Sequence, residues 1–130
     1  VKMNAEELEI ITGWYNSALH NESERIGWLF DHFAVEEILV TKGAKGASYF
    51  TRDLQVDQPA FIVEVNDTIG SGDSFLAAFL TKRLQNADPE TALTYAAGMG
   101  AFITARSGAC PEYTRHDFES FLSTKLADAL

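Results

Sequence analysis

The chain reads as an α/β layer protein on three observations: amphipathic helical periodicities, short apolar β-rich runs between them, and a glycine-rich turn leading from an apolar run into a helix. Its 130 residues are 46% hydrophobic, enough to bury one compact core. No repeat, low-complexity tract or interdomain linker divides it, so residues 1–130 are taken as a single partial domain.

Asn4 is a good helix N-cap, with Glu7 three residues later to complete a capping box, and a helix is expected from about Ala5 to Ile11, stopped near Gly13. The stretch Asn16 to Glu22 is polar and loop-like. Ile26, Leu29, Phe30 and Phe33 then recur at helical spacing. Glu37 to Thr41 reads as a buried parallel strand that ends at Lys42-Gly43. Two further strands are expected over Ala47 to Phe50 and Phe61 to Val65, joined by a polar link containing Pro59. Beyond Gly70 and Gly72, the residues Phe75, Leu76, Phe79, Leu80 and Leu84 mark a helix with one apolar face. Asp88-Pro89 is an N-cap followed by proline at the first helical position, opening a helix through Leu93, Ala96, Gly100 and Ile103 whose Ala and Gly content implies close packing. A last helix starts near Thr114, with Phe118, Phe121, Leu122, Leu126 and Leu130 on its buried side.

Ten basic against nineteen acidic residues give a formal charge of -9, which disfavours nucleic acid and anionic lipid as partners. The single cysteine, Cys110, permits no intrachain disulfide, and a reducing, cytoplasmic setting is expected. No apolar run approaches the roughly 20 residues that span a bilayer, and the start has no secretory pattern. The sequons at Asn21 and Asn66 therefore carry no weight. His20, His32 and His116 lack metal-ligand spacing and are expected at surface or satisfied helix positions; Trp14 and Trp28 are expected as core or interface anchors. The chain opens at Val1, inside what looks like domain interior, and reads as a fragment.

The chemistry concentrates in Asp67-Thr68-Ile69-Gly70-Ser71-Gly72-Asp73, which runs into a helix. Two glycines remove Cβ atoms where backbone must approach a ligand, and the first helix amides are unsatisfied at the positive end of the dipole, so the turn suits an anion. A carboxylate there repels phosphate unless its charge has a use. As a general base Asp73 can orient an alcohol and take its proton during phosphoryl transfer. The plainer reading is that Asp73 caps the helix and Asp67 the turn.

This string, with Ser74-Phe75 after it, resembles the second signature of the PfkB or ribokinase family, D-T-x-G-A-G-D-x-F, with Ser71 replacing alanine. Lys2-Met3-Asn4-Ala5-Glu6-Glu7 resembles the family's K-P-N-x-x-E segment with Met3 for proline. The resemblance puts Asn4 and Glu7 near the nucleotide phosphates and the water network of Mg²⁺, alongside the capping-box reading. Thr41-Lys42-Gly43-Ala44-Lys45-Gly46-Ala47 resembles the T-x-G-x-x-G run, which implies Thr41, Gly43 and Gly46 against ATP. No Walker A string, G-x-x-x-x-G-K followed by Ser or Thr, occurs. Ala105 to Ala109 resembles the late G-A turn, and the resemblance implies carbonyls of Asp67, Ile69 and Gly108 around a monovalent cation such as K⁺. Where many members have an asparagine near the adenine, this chain reads Ala96-Ala97-Gly98, which makes the adenine contacts more apolar.

The resemblance implies the C-terminal part of a ribokinase-like three-layer α/β/α fold, without the N-terminal region and the β lid through which relatives dimerise. It also implies ATP-dependent phosphorylation of a sugar hydroxyl. Asp73 is then the base, Gly70, Ser71 and Gly72 the anion hole, ATP and Mg²⁺ the cofactors, and a small-molecule sugar the partner. Fructose is the first-choice acceptor, followed by ribose, other ketoses, deoxyketo-acids and nucleosides; the chain alone is expected to be inactive. Two alternatives stand beside this reading: a nucleotide- or metabolite-binding regulatory module of the same fold, and a nucleoside or vitamin kinase of the wider superfamily.

Overall fold

The computed structural model describes residues 1–63, 71–106 and 114–128. Strand β1 (Lys2–Asn4) leads into helices α1 (Ala5–Tyr15) and α2 (Glu22–His32). Strands β2 (Ile38–Thr41), β3 (Ala47–Phe50) and β4 (Gln55–Gln58) follow, then helices α3 (Ser71–Leu84), α4 (Pro89–Thr104) and α5 (Arg115–Asp128). The strands form one sheet in the order β1-β2-β3-β4. β1 and β2 are parallel, with Met3 opposite Val40; β3 is antiparallel to both of its neighbours, β2 and β4, with Val40 opposite Ser48 and Tyr49 opposite Val56.

Alternation along the strands divides the core into two halves, because successive side chains point to opposite faces. Ile38, Val40, Met3 and Phe50 pack with Leu8, Ile26, Leu29 and Phe30 under α1 and α2. Leu39, Ala47 and Tyr49 face the other way and pack with Phe75, Phe79, Leu93 and Ala96 of α3 and α4. The sheet is thus covered on both faces, an α/β/α arrangement, and this explains why Ile38, Leu39 and Val40 are all buried. Full burial of a side chain such as Leu93, 0% exposed, contributes about 1.5–3 kcal/mol. A third cluster, Phe102, Ile103 and Phe118, fastens α5 to α4, where a Cβ on Gly98 would come within 2.5 Å of Leu122.

The expected caps form. Asn4 Oδ1 accepts from the Glu7 amide at 2.7 Å while Glu7 Oε1 accepts from the Asn4 amide at 2.9 Å, and Asp88 accepts from the Thr91 amide at 2.7 Å. His32 stacks on Trp28 with its Nδ1 2.9 Å from the Trp28 carbonyl, a satisfied helix position.

Several expectations are corrected. α1 does not stop near Gly13 but continues to Tyr15: a helical glycine costs only about 1 kcal/mol, and nothing crowds this one. Trp14 is 76% exposed and is no core anchor. Residues 61–63 are not a strand, and residues 64 and 65 lie outside the described residues. The fourth strand is instead β4, inside the polar link. Among the described residues it is the edge strand, with one wet face, so it shows no apolar run. β1 escapes notice because three residues carry no periodicity. Glu37 lies just outside β2, whose other neighbour β3 is antiparallel, so the sheet is mixed. Phe33 caps α2 rather than extending its stripe, and Leu80, Leu84 and Leu126 are exposed because α3 and α5 bury their faces mainly through Phe75, Phe79 and Phe118. Leu130 lies outside the described residues.

Candidate functional site

The turn between β2 and β3 is a short 3₁₀ segment, Gly43–Lys45, closed by the Lys42 amide donating to the Gly46 carbonyl at 2.8 Å. Gly43 has φ +57° and Gly46 φ +97°, backbone that side chains rarely tolerate. Gly46 is further confined, since a Cβ there would lie 2.0 Å from the Gln58 carbonyl oxygen. The side chain of Lys42 anchors the turn from below: its Nζ lies 2.8 Å from the Glu22 carboxylate and donates to Ser48 Oγ at 2.7 Å. Ser48, buried at 1% exposure, donates in turn to Asp57, and that bond, with a second from Gln55, holds the Asp57 carboxyl below the usual carboxylate range.

Across from this turn stands the N-terminus of α3, with Ser71 and Gly72 in its first turn. A Cβ on Gly72 would come within 3.4 Å of Lys2 Nζ, so the Lys2 ammonium lies beside the first turn of α3, at the positive end of the helix dipole. Behind them the small side of α4 packs closely, a Cβ on Gly100 lying 3.5 Å from Phe75 and 3.8 Å from the Ser71 carbonyl oxygen.

These parts enclose a cleft of about 540 Å³. Thr41, Gly43, Ala44 and Gly46 line it from the turn, Ala60 to Val63 from the segment after β4, Ser71, Gly72 and Phe75 from α3, and Ala97, Gly100, Ala101 and Thr104 from α4. Thr104 is engaged, its hydroxyl donating to the Gly100 carbonyl at 2.8 Å. A second cleft of about 480 Å³ shares Thr41 and Gly43 and adds Asn4, Glu6, Glu22, Lys42 and Lys45. Its size and that of the first lie within the range of about 300–1,000 Å³ typical of small-molecule sites.

The structure thus gathers Thr41, Gly43, Gly46, Ser71 and Gly72 around one cleft and brings Asn4 to its neighbour. Glu7 is exposed, one carboxylate oxygen engaged in the capping box. Asp73 is exposed in the first turn of α3, beside the cleft rather than among its lining residues. Asp67, Ile69, Gly70 and Gly108 lie outside the described residues. Among the described residues no group of three or more His, Cys, Asp and Glu side chains could hold a metal by itself. That donor set fits Mg²⁺ only in the manner of a nucleotide-borne ion, held by phosphates, water and one or two carboxylates. Sequence reasoning missed Lys2, because nothing in its spacing shows that it reaches residue 72. It also missed Ala60 to Val63 as cleft wall, whose apolar run reads as a strand.

Comparison with known proteins places the sequence and the fold in one family. Residues 1–115 match the family described as pfkB family carbohydrate kinase. The chain is 36% identical over 121 residues to a deoxyribokinase of Salmonella typhi, covering 92% of this chain and 39% of that protein. Among solved structures it superposes on the fructokinase of Vibrio cholerae O395 in its fructose-, ADP- and calcium-bound form. The TM-score is 0.78 and the identity 31%, over 94% of this chain and 40% of that one. The ribokinase of Arabidopsis thaliana complexed with ribose and ATP gives a TM-score of 0.80 at 25% identity, over 93% of this chain and 39% of that one. The chain therefore spans about two fifths of the length of these relatives. With residues 1–115 matching its model and the fold in agreement, the chain belongs to the pfkB family of carbohydrate kinases.

Proposed function

We propose that this chain supplies the nucleotide-binding and phosphoryl-transfer end of an ATP-dependent sugar kinase, with fructose as the first-choice acceptor. The observation that carries the reading is one cleft that is apolar along Phe61, Val63, Ala97 and Ala101 and is lined at the first turn of α3 by Ser71 and Gly72. A nucleobase fits the first kind of surface and a phosphate the second. The fructokinase with fructose and ADP and the ribokinase with ribose and ATP support the same choice of ligands.

In this reading the first amides of α3 and the Lys2 ammonium stabilise negative charge on the transferring phosphoryl group. Thr41 and Gly43 contact the nucleotide from the opposite wall, where the Lys42–Glu22–Ser48 anchor keeps them. Asp73 orients the acceptor hydroxyl and accepts its proton as the oxygen attacks the γ-phosphorus and the bond from that phosphorus to the departing ADP oxygen breaks. Asn4 and Glu7 hold the water shell of Mg²⁺, whose charge, when the ion is bound, neutralises the phosphates.

The test is Asp73→Ala in the intact protein, assayed for ADP release against fructose, ribose and nucleosides. Turnover should fall by about 10²-fold or more while ATP binding persists. Near-normal turnover refutes the base assignment, and ATP binding by the wild type with no turnover on any acceptor identifies a binding module instead.

A further inference from the structure

We propose that Lys125 is a positioning residue of the nucleotide cleft, acting through the main chain of Ile62. The inference rests on the nucleotide reading above and adds to it a residue beyond positions 1–115, where the family match ends.

The helical stripe of α5 motivates it. Phe118 is 1% exposed, and Phe121 and Leu122 are half-buried against α4. One turn on, helical spacing returns position 125 to the same side, where an apolar residue is expected and a lysine stands. Its Nζ lies 5.7 Å from the centre of the Phe121 ring, and it donates to the Ile62 carbonyl at 2.7 Å, a contact across 63 residues of sequence. A lysine suits this place because what it meets is a carbonyl oxygen, while its alkyl stem still covers apolar surface.

Ile62 is the residue worth holding. It lines the cleft yet is 90% exposed, while its neighbours Phe61 and Val63 are half-buried. It therefore stands at the rim, where a bound base covers it. β4 ends at Gln58, and Pro59 has no amide with which to extend the ladder, so residues 61–63 form wall without strand pairing. Phe61 packs on the core shared by α3 and α4, and Lys125 ties the next residue to α5. Without that tie the rim has to be ordered during binding, which weakens affinity without touching the reacting groups.

Lys125→Met keeps the stem and removes the donor, and Lys125→Arg keeps a charged donor. Both are to be measured in the intact protein by calorimetric titration with ATP and Mg²⁺, by steady-state kinetics, and by hydrogen exchange of a peptide spanning residues 59–63. Lys125→Met should raise Kd and KM for ATP by about 5-fold, less than a buried charge-assisted bond would give because this one is solvated. It should leave kcat and the acceptor KM unchanged and speed exchange over residues 59–63, and Lys125→Arg should recover most of the affinity. ATP affinity within a factor of about two of wild type, a loss spread equally over kcat and both KM values, or failure of the arginine to restore binding each overturns the proposal. If the wild type itself binds no ATP, the nucleotide reading of the cleft falls first, and the two failures are told apart by that single titration.

Discussion

Alanine at Gly46 probes how the turn beneath the cleft is built. Its new Cβ would lie 2.0 Å from the Gln58 carbonyl oxygen and 2.9 Å from both the Ala60 nitrogen and the Pro59 Cα, all backbone atoms that cannot rotate aside. Relief requires moving the chain after β4, and with it Gln58, whose side chain accepts from Thr94 of α4 at 2.7 Å. The φ of +97° adds conformational strain. Left-handed backbone costs a side chain about 1–2 kcal/mol and overpacking about 1–3 kcal/mol, so the change should cost about 3–4 kcal/mol. That is a large share of the roughly 5–15 kcal/mol of a domain and lowers Tm by about 10–20 °C. Gly43 is the internal control: at φ +57° with nothing within 4 Å of its would-be Cβ, alanine there carries strain alone. Its Tm should fall by only about 3–8 °C, and Gly43→Asn, whose side chain tolerates this conformation, by less. Calorimetric melts of the wild type and the three variants measure the difference. A Gly46→Ala midpoint within a degree or two of the Gly43→Ala midpoint would refute the steric reasoning.

Two further predictions concern charge. Burial, then the hydrogen bond to Glu37, pushes the Tyr49 hydroxyl from 10.0 up to about 12, so the neutral phenol is favoured on folding. A pKa raised on folding gives stability that is complete below the unfolded value and is lost as pH rises through the folded one. Denaturant midpoints should therefore fall more steeply between pH 10 and about 12 in wild type than in Tyr49→Phe; parallel curves would count against the assignment. Glu37 behaves oppositely: the Tyr49 hydrogen bond holds its carboxyl below 4.5, so its contribution is present above that pH and is lost as acid protonates it. At the helix end, Lys2→Met should weaken ATP binding by about 10-fold, the value of one charge-assisted contact, with little change in Tm; unchanged affinity would remove Lys2 from the phosphate site.

The sequence by itself determined the features whose cause is local. The Asn4–Glu7 and Asp88 caps, the helical stripes of α2, α3 and α4, and β3 with its preceding glycine turn form from neighbours within a few residues, and their side-chain patterns report them directly. The motif strings were legible for the same reason, since each is a contiguous run of residues. Tertiary structure decided what depends on distant partners. β4 exists only because β3 offers it an edge, and its wet face hides it from any hydrophobic count. Ala60 to Val63, apolar enough for a strand, became cleft wall because α3 and α4 offered Phe61 a core to pack on. Gly46 is irreplaceable because the Gln58 carbonyl arrives against it, Lys2 meets the end of α3 because β1 lies in the same sheet as the turn, and Lys125 finds Ile62 across 63 residues. Local pattern thus named the candidate residues, and packing of the two helical layers on the sheet brought Thr41, Gly43, Gly46, Ser71 and Gly72 around one cleft.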